Sequence, residues 1–425
     1  MIATAVAGTA RRVDTTRWDV WGGASVESSS TYIGQFILKV ASRCNLNCSY
    51  CYIYNKADST WKHRPAIMSD EVFGAVLERI HRHCVFTGQD GATIVFHGGE
   101  PCLIGSRKFD DWCSQARRFL HDVADVKFCI QTNGTLLDQA WAEVFRKYQV
   151  TVGVSLDGPK QVNDIVRVDH LGRGSYDEAE RGIKLLQEAQ IPHGVLSVIT
   201  LGADPLAVHR HFVALGCRSV NYLLPHFTHD TIGPIRQLYG ATPCADFLIP
   251  IFDDWWFNGT PDLQIGDLRN IARIILGGKS LSEGLGNDPP LYVFIEADGE
   301  LEGLDNLRAC ADGISSIKLN VRHSDFREIL QTEGMHKTAI FQGMPLPRLC
   351  KGCPERDTCA GGYLPHRYSS ANGFDNPSVW CADLLKLFAH LRAKLGVSVE
   401  ETRERRRMLA ANLDSGLHPV SAHVS

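Results

Sequence analysis

With 425 residues, 44% of them hydrophobic, the chain is long enough for two packed domains or one enlarged barrel. No run approaches the roughly 18 unbroken apolar residues of a membrane span, and a net charge of -4 argues against a nucleic-acid partner held by a basic face. The opening MIATAVAGTARRVDTT lacks the basic start and apolar core of a secretory signal, so fourteen cysteines point to reduced thiols and metal ligation in a cytoplasmic protein, not to disulfides.

Residues 1–30 are small and polar, closing on Ser28, Ser29 and Ser30, and are expected to form a flexible N-terminal arm. QFILKVAS then reads as a first strand. ATIVFHGG, VKFCIQT, TVGVSL, HGVLSVIT and SVNYLL read as five more, since each is a short apolar, partly β-branched run. Amphipathic stretches at 69–84, 106–122, 138–148, 175–190 and 204–215 separate them. Strand and helix alternating about every 30 residues predict the α/β class, specifically a partial (β/α)6 barrel over 31–235. Six strands imply an open barrel, with the chemistry at the C-terminal strand ends. A bridging helical region follows over 236–290, with Trp255 and Trp256 as expected core anchors. YVFIEADGELEGLD predicts a hairpin with Asp298-Gly299 at its turn, opening a C-terminal domain over 291–392. A helix and tail occupy 393–425, where the charged run Glu400 to Arg407 reads as a solvated face.

Directly after the first strand stands SRCNLNCSYCYIY, with Cys44, Cys48 and Cys51 spaced C-x3-C-x2-C and Tyr52 next to the third. Three thiolates this close can hold three irons of a [4Fe–4S] cube and leave the fourth iron open to a substrate. Tetrahedral zinc wants four ligands and usually shows two clean pairs. The second strand ends His97-Gly98-Gly99-Glu100-Pro101, where paired glycines let backbone approach a ligand and Glu100 offers an acceptor. The third ends Gln131-Thr132-Asn133-Gly134, and the fourth ends Ser155-Leu156-Asp157-Gly158, with Arg167 beyond it. In series these motifs resemble the radical S-adenosylmethionine (SAM) enzymes. The resemblance implies that Tyr52, Gly98, Gly99 and Glu100 border SAM, with Glu100 receiving its ammonium group. It also implies that Gln131, Ser155 and Arg167 meet the ribose and carboxylate, the last through its guanidinium.

A second set, Cys350, Cys353, Cys359 and Cys381, is spaced C-x2-C-x5-C-x21-C and makes a closed four-thiolate site, for which zinc is the chemical alternative. Here the chain is similar to radical SAM enzymes with a C-terminal SPASM domain, in which this spacing holds an auxiliary [4Fe–4S] cluster. Full SPASM domains carry two auxiliary clusters. This chain has Leu304 and Tyr363 where two of the further cysteines are expected, and GLGNDPPL where two more should lie. The expectation is therefore two cubes in all, with space opened between barrel and SPASM-like domain. Cys84, Cys102, Cys113, Cys129, Cys217, Cys244 and Cys310 are expected to be structural.

SRCNLNCSYCYIYNKADSTW, HGGEP, QTNG, VSLDGP and HRYSSANGFDNPSVWCADL together resemble the FxsB-type cyclophane-forming peptide maturases, over about Ser42 to Leu391. That resemblance implies a ribosomally made precursor peptide as substrate and an electron donor such as flavodoxin or ferredoxin. The implied reaction joins an aromatic ring carbon to a β-carbon two residues further on, with Asp305 as catalytic base. Formylglycine formation on a sulfatase shares every barrel motif. A radical reaction on a small metabolite and a non-enzymatic iron–sulfur or zinc scaffold complete the alternatives; the scaffold predicts no SAM cleavage.

Overall fold

The computed structural model describes residues 32–259, 263–286 and 288–414, so the 1–30 arm lies outside them. Its centre is strand β1 (Gln35–Ala41), in which every residue from Phe36 onward is buried. Such a run fits a strand covered on both faces. Strands β2 (Gly91–Gly98), β3 (Asp125–Thr132), β4 (Thr151–Ser155), β5 (His193–Val198) and β6 (Ser219–Leu223) follow, each parallel to the one before.

The return helices obey their local signals. Helix α1 (Asp70–Thr87) starts where the Ser69 hydroxyl accepts from the Val72 amide at 3.3 Å and stops at Gly88, whose φ of 70° favours glycine. It buries Val72, Phe73, Val76, Leu77 and Ile80, a stripe at helical spacing. Phe73 stacks at 4.4 Å on Trp112 of helix α2 (Ser106–Leu120).

The sheet runs further than six strands. Strand β7 (Gln264–Ile265) adds to β6, while β8 (Tyr292–Ile295) lies parallel to β1 on the other side. Strands β9 (Glu300–Glu302) and β10 (Ser316–Asn320) complete the order β10-β9-β8-β1-β2-β3-β4-β5-β6-β7. The hairpin of β8 and β9 turns at Gly299, whose amide donates to the Glu296 carbonyl at 2.8 Å with φ at 87°. The region beyond 290 thus shares one continuous sheet with the barrel.

Two expectations are corrected in this half. Trp255 and Trp256 are half-buried against the core, and Phe252, stacked on Trp256 at 5.4 Å, is the buried anchor. The gap expected at Leu304 is largely filled, because Leu304 and Leu307 pack with Cys310, Ala339 and Leu364 in a second apolar cluster. A cleft remains beside it, lined by Glu283, Leu285, Leu304, Met344, Gly362 and Arg367 among others. Among the described residues no helix is long and apolar enough to cross a membrane.

Candidate active site

The ends of β1 to β4 meet at one face, as parallel β/α architecture dictates. The loop after β1 carries Cys44, Cys48 and Cys51, and its backbone is tied down on both sides. Asn47 and Ser49 amides donate to the Val168 and Val166 carbonyls at 2.7 and 2.9 Å, and the Asn55 side chain donates to the Cys48 carbonyl at 2.8 Å. Burial pushes the Cys44 thiol up to about 12, with Glu100 and the other two thiols adding to the rise. Three thiols held this way are costly as bare anions and suit a cationic cluster that neutralises them.

The glycines of the second motif do something the sequence did not reveal. A Cβ on Gly98 would lie 2.3 Å from the Ala41 carbonyl oxygen, and one on Gly99 1.9 Å from the Tyr54 hydroxyl. They let the end of β2 press against the cysteine loop, so the close approach they serve is that of protein to protein. The Glu100 carboxylate is likewise committed, accepting from the Cys102 amide (3.0 Å), the Thr132 hydroxyl (2.6 Å) and the Asn133 amide (2.7 Å). It thereby binds the end of β2 to the end of β3.

Gln131 donates to the Ser155 hydroxyl at 2.9 Å, its amide lying over Gly153. Arg167 is buried and donates at 2.6 Å to the Tyr50 hydroxyl, which in turn donates to Asp157 at 2.6 Å. Around the same strand ends, Ser42 Oγ, Tyr54 OH and His97 Nδ1 are buried without hydrogen-bond partners. Orphaned polar atoms beside a Gly-Gly turn fit a polar ligand, and SAM is one.

Asp305 follows the hairpin at the other end of this face. Its carboxylate accepts from the Tyr52 hydroxyl at 2.7 Å and lies 3.0 Å from the Lys39 ammonium. Burial alone would push this carboxyl up, but Lys39, His97 and Tyr52 hold it below the ordinary range. Tyr52, expected beside SAM, therefore joins the cysteine loop to a carboxylate. Lys39 also reaches Glu296 at 3.1 Å; Arg308 pairs with Glu296 at 2.7 Å and Asp58 at 2.5 Å, and Arg64 with Asp298 at 2.8 Å. Lys39 escaped notice in the sequence, although a lone lysine inside an otherwise apolar strand was the available signal. Tyr52 contacts the His226 ring edge-on at 5.5 Å, and His226 lies 5.3 Å from His366, centroid to centroid. Neither histidine carries a spacing that marks it in advance.

Cys350, Cys353, Cys359 and Cys381 line one small cavity with Arg356, Ser378 and Leu385. Among the described residues no three His, Cys, Asp or Glu side chains close around one metal ion. Four thiols lining one cavity can hold a cube or a zinc ion, and the SPASM-like spacing of the set favours the cube. Of the thiols expected to be structural, Cys129 is half-buried and the rest are buried. Anaerobic reconstitution is accordingly expected to give about eight irons and eight sulfides per chain. About four irons with one zinc, by metal analysis, would reject the second cube.

The Radical SAM superfamily model matches residues 38–204. The cysteine-type anaerobic sulfatase-maturating enzyme of Clostridium perfringens is 25% identical over 372 residues, spanning 84% of this chain and 96% of its own length. The serine-type enzyme of Klebsiella aerogenes is 32% identical over 375 residues, 84% of each chain. Native anSMEcpe with bound AdoMet and Cp18Cys peptide matches with a TM-score of 0.71 and 23% identity, over 89% of this chain and 99% of that one. At that identity the structural likeness is one of fold.

Proposed function

The chain belongs to the radical SAM superfamily and is related to the anaerobic sulfatase-maturating enzymes, and on that premise we propose that it removes a pair of hydrogens from a side chain of a peptide, with Asp305 as base. Cys44, Cys48 and Cys51 hold the first [4Fe–4S] cluster, and Cys350, Cys353, Cys359 and Cys381 the second. Gln131, Ser155 and Arg167 would hold SAM at the strand ends beside the Gly98-Gly99 turn, which Glu100 braces. When bound, the first cluster and SAM supply a carbon radical able to take hydrogen from an unactivated C–H bond.

The chain's own residues do the rest. The strand ends position the substrate and keep water from the reactive centre. A side chain that gives up a hydrogen atom and then an electron must also lose a proton; the electron would pass to the cluster that Cys350, Cys353, Cys359 and Cys381 would hold. The observation that carries the reading is the Asp305 carboxylate, kept ionised by Lys39 and aimed through Tyr52 at the cysteine loop.

The sulfatase-maturating relatives favour oxidation of a cysteine or serine to formylglycine. A crosslink between an aromatic ring and a β-carbon is the second reading, favoured by Leu304 and Tyr363 standing where further cluster thiols were expected. Anaerobic turnover of three synthetic peptides separates them: one with a target cysteine, its serine counterpart, and one with an aromatic residue two positions before an aliphatic one. An aldehyde captured by a hydrazide from the first or second supports formylglycine formation. A product lighter by about two hydrogens that resists the hydrazide supports the crosslink. If all three peptides are returned unchanged while SAM is cleaved, the peptide reading falls.

A further inference from the structure

Three side chains beside the cysteine loop lack the partners their chemistry calls for. Lys56, half-buried just beyond Cys51, holds its ammonium 4.7 Å from the centre of the Phe227 ring. Among the described residues it has no ion pair and no hydrogen bond. The residue before Phe227 is His226, whose Nδ1 is buried without a partner. His366 is 1% exposed, and neither of its ring nitrogens has a partner. The two imidazoles lie 5.3 Å apart, centre to centre, and the Tyr363 ring touches both. Buried polar groups in a folded chain are nearly always paired, so orphaned nitrogens gathered beside an uncompensated cation mark a place that a ligand completes.

We propose that Lys56, His226 and His366 form a carboxylate subsite for the substrate, taking an acidic side chain or the terminal carboxylate of the peptide close to the residue being modified. This rests on the reading of the substrate as a peptide.

The donor set selects the ligand. Lys56 brings a positive charge and three N–H donors, and each imidazole brings one more. A carboxylate answers all of them, since two oxygens offer lone pairs to several donors and the charge balances the ammonium. A neutral hydroxyl or amide would leave the ammonium uncompensated, and the same ammonium disfavours a metal ion on the two imidazoles. Burial pushes His226 down to about 4, with Asp305 opposing and Lys56 adding to the fall, and burial also pushes His366 down. Both rings are therefore neutral, and the charge at the subsite is that of Lys56. The chain's own nearby carboxylates are committed elsewhere: Asp305 to Lys39 and Tyr52, Glu283 to Tyr363 and Asn306. The position suits a substrate as well. His226 is only half-buried and meets the Tyr52 ring at 5.5 Å, and Tyr52 is both the neighbour of Cys51 and the partner of Asp305.

The test is calorimetric titration of the reconstituted enzyme, in the presence of SAM, with whichever of the three peptides the wild-type chain converts. That peptide is made with glutamate and with glutamine at each position flanking the target, and with a free and an amidated C-terminus. One carboxylate-bearing version should bind about tenfold more tightly than its amide counterpart, as a charge-assisted hydrogen bond would give. A preference for glutamate identifies an acidic side chain as the ligand, and a preference for the free terminus identifies the terminal carboxylate. Lys56→Gln should erase the preference by weakening the carboxylate version alone, and in turnover the loss should fall on KM and not on kcat. Lys56→Glu should reverse it, favouring lysine at that position, or an amidated over a free terminus. His366→Gln should reduce the preference in part; as His366 is buried, the two Lys56 variants carry the test if that variant fails to fold. Equal binding of every acid and amide pair by the wild-type chain, or an equal loss for both members of a pair in Lys56→Gln, overturns the subsite while peptide conversion stands. If the wild-type chain converts none of the three peptides, the reading beneath falls and the subsite with it.

Discussion

Replacing Cys44, Cys48 and Cys51 together with alanine is expected to abolish 5′-deoxyadenosine formation entirely, while about four irons stay with the Cys350 set. On the proposed assignment only the first set leaves an iron open, so only its loss removes the point where SAM would meet the cluster. The variant should still fold. Asn47 and Ser49 hold the loop through backbone amides, and Glu100 ties β2 to β3 through hydrogen bonds that use no sulfur of the three replaced cysteines. The measurement is chromatography of SAM products under dithionite, with iron analysis of the same sample. SAM cleavage that survives in the triple variant would show the radical cluster is held elsewhere.

Asp305→Asn is expected to leave SAM cleavage in place and to lower peptide product by about 10²–10⁴-fold, the span for losing a general base. Asparagine keeps the shape and an acceptor for Tyr52 but does not take a proton at neutral pH. Lys39 keeps Glu296 at 3.1 Å as a counter-ion, so the substitution does not strand a buried charge, the change that costs about 3–5 kcal/mol. The quantity to follow is peptide product per 5′-deoxyadenosine. A ratio equal to wild type would return Asp305 to a purely structural ion pair.

The strand ends were readable because short motifs mark them: the cysteine loop, Gly98-Gly99-Glu100, Gln131 and Ser155 all lie on one face, as the strand–helix rhythm requires. What those residues touch was not readable. Gly98 and Gly99 are glycine because of Ala41 and Tyr54, contacts that depend on the packed distance between two loops. Strand β7 is two residues long and leaves no periodic pattern. Strand β8 was visible as half of a hairpin, but its parallel pairing with β1 joins residues over 250 apart in the chain and has no local signature. The same distance hid the partners of Lys39, which come from the hairpin and the turn beyond it.

That pairing of β8 with β1 sets a rule for engineering. Lys39 sits on the strand that leads into the cysteine loop, and its counter-ions Glu296 and Asp305 belong to the other half of the chain. A chimaera that exchanges everything after residue 290 for a relative's segment would strip β1 of a neighbour and leave a lysine buried among mismatched charges. Retargeting the catalyst to new substrates is better sought in the cleft wall, at Leu285 and Met344, side chains that belong to no strand of the sheet and no ion pair of the buried network.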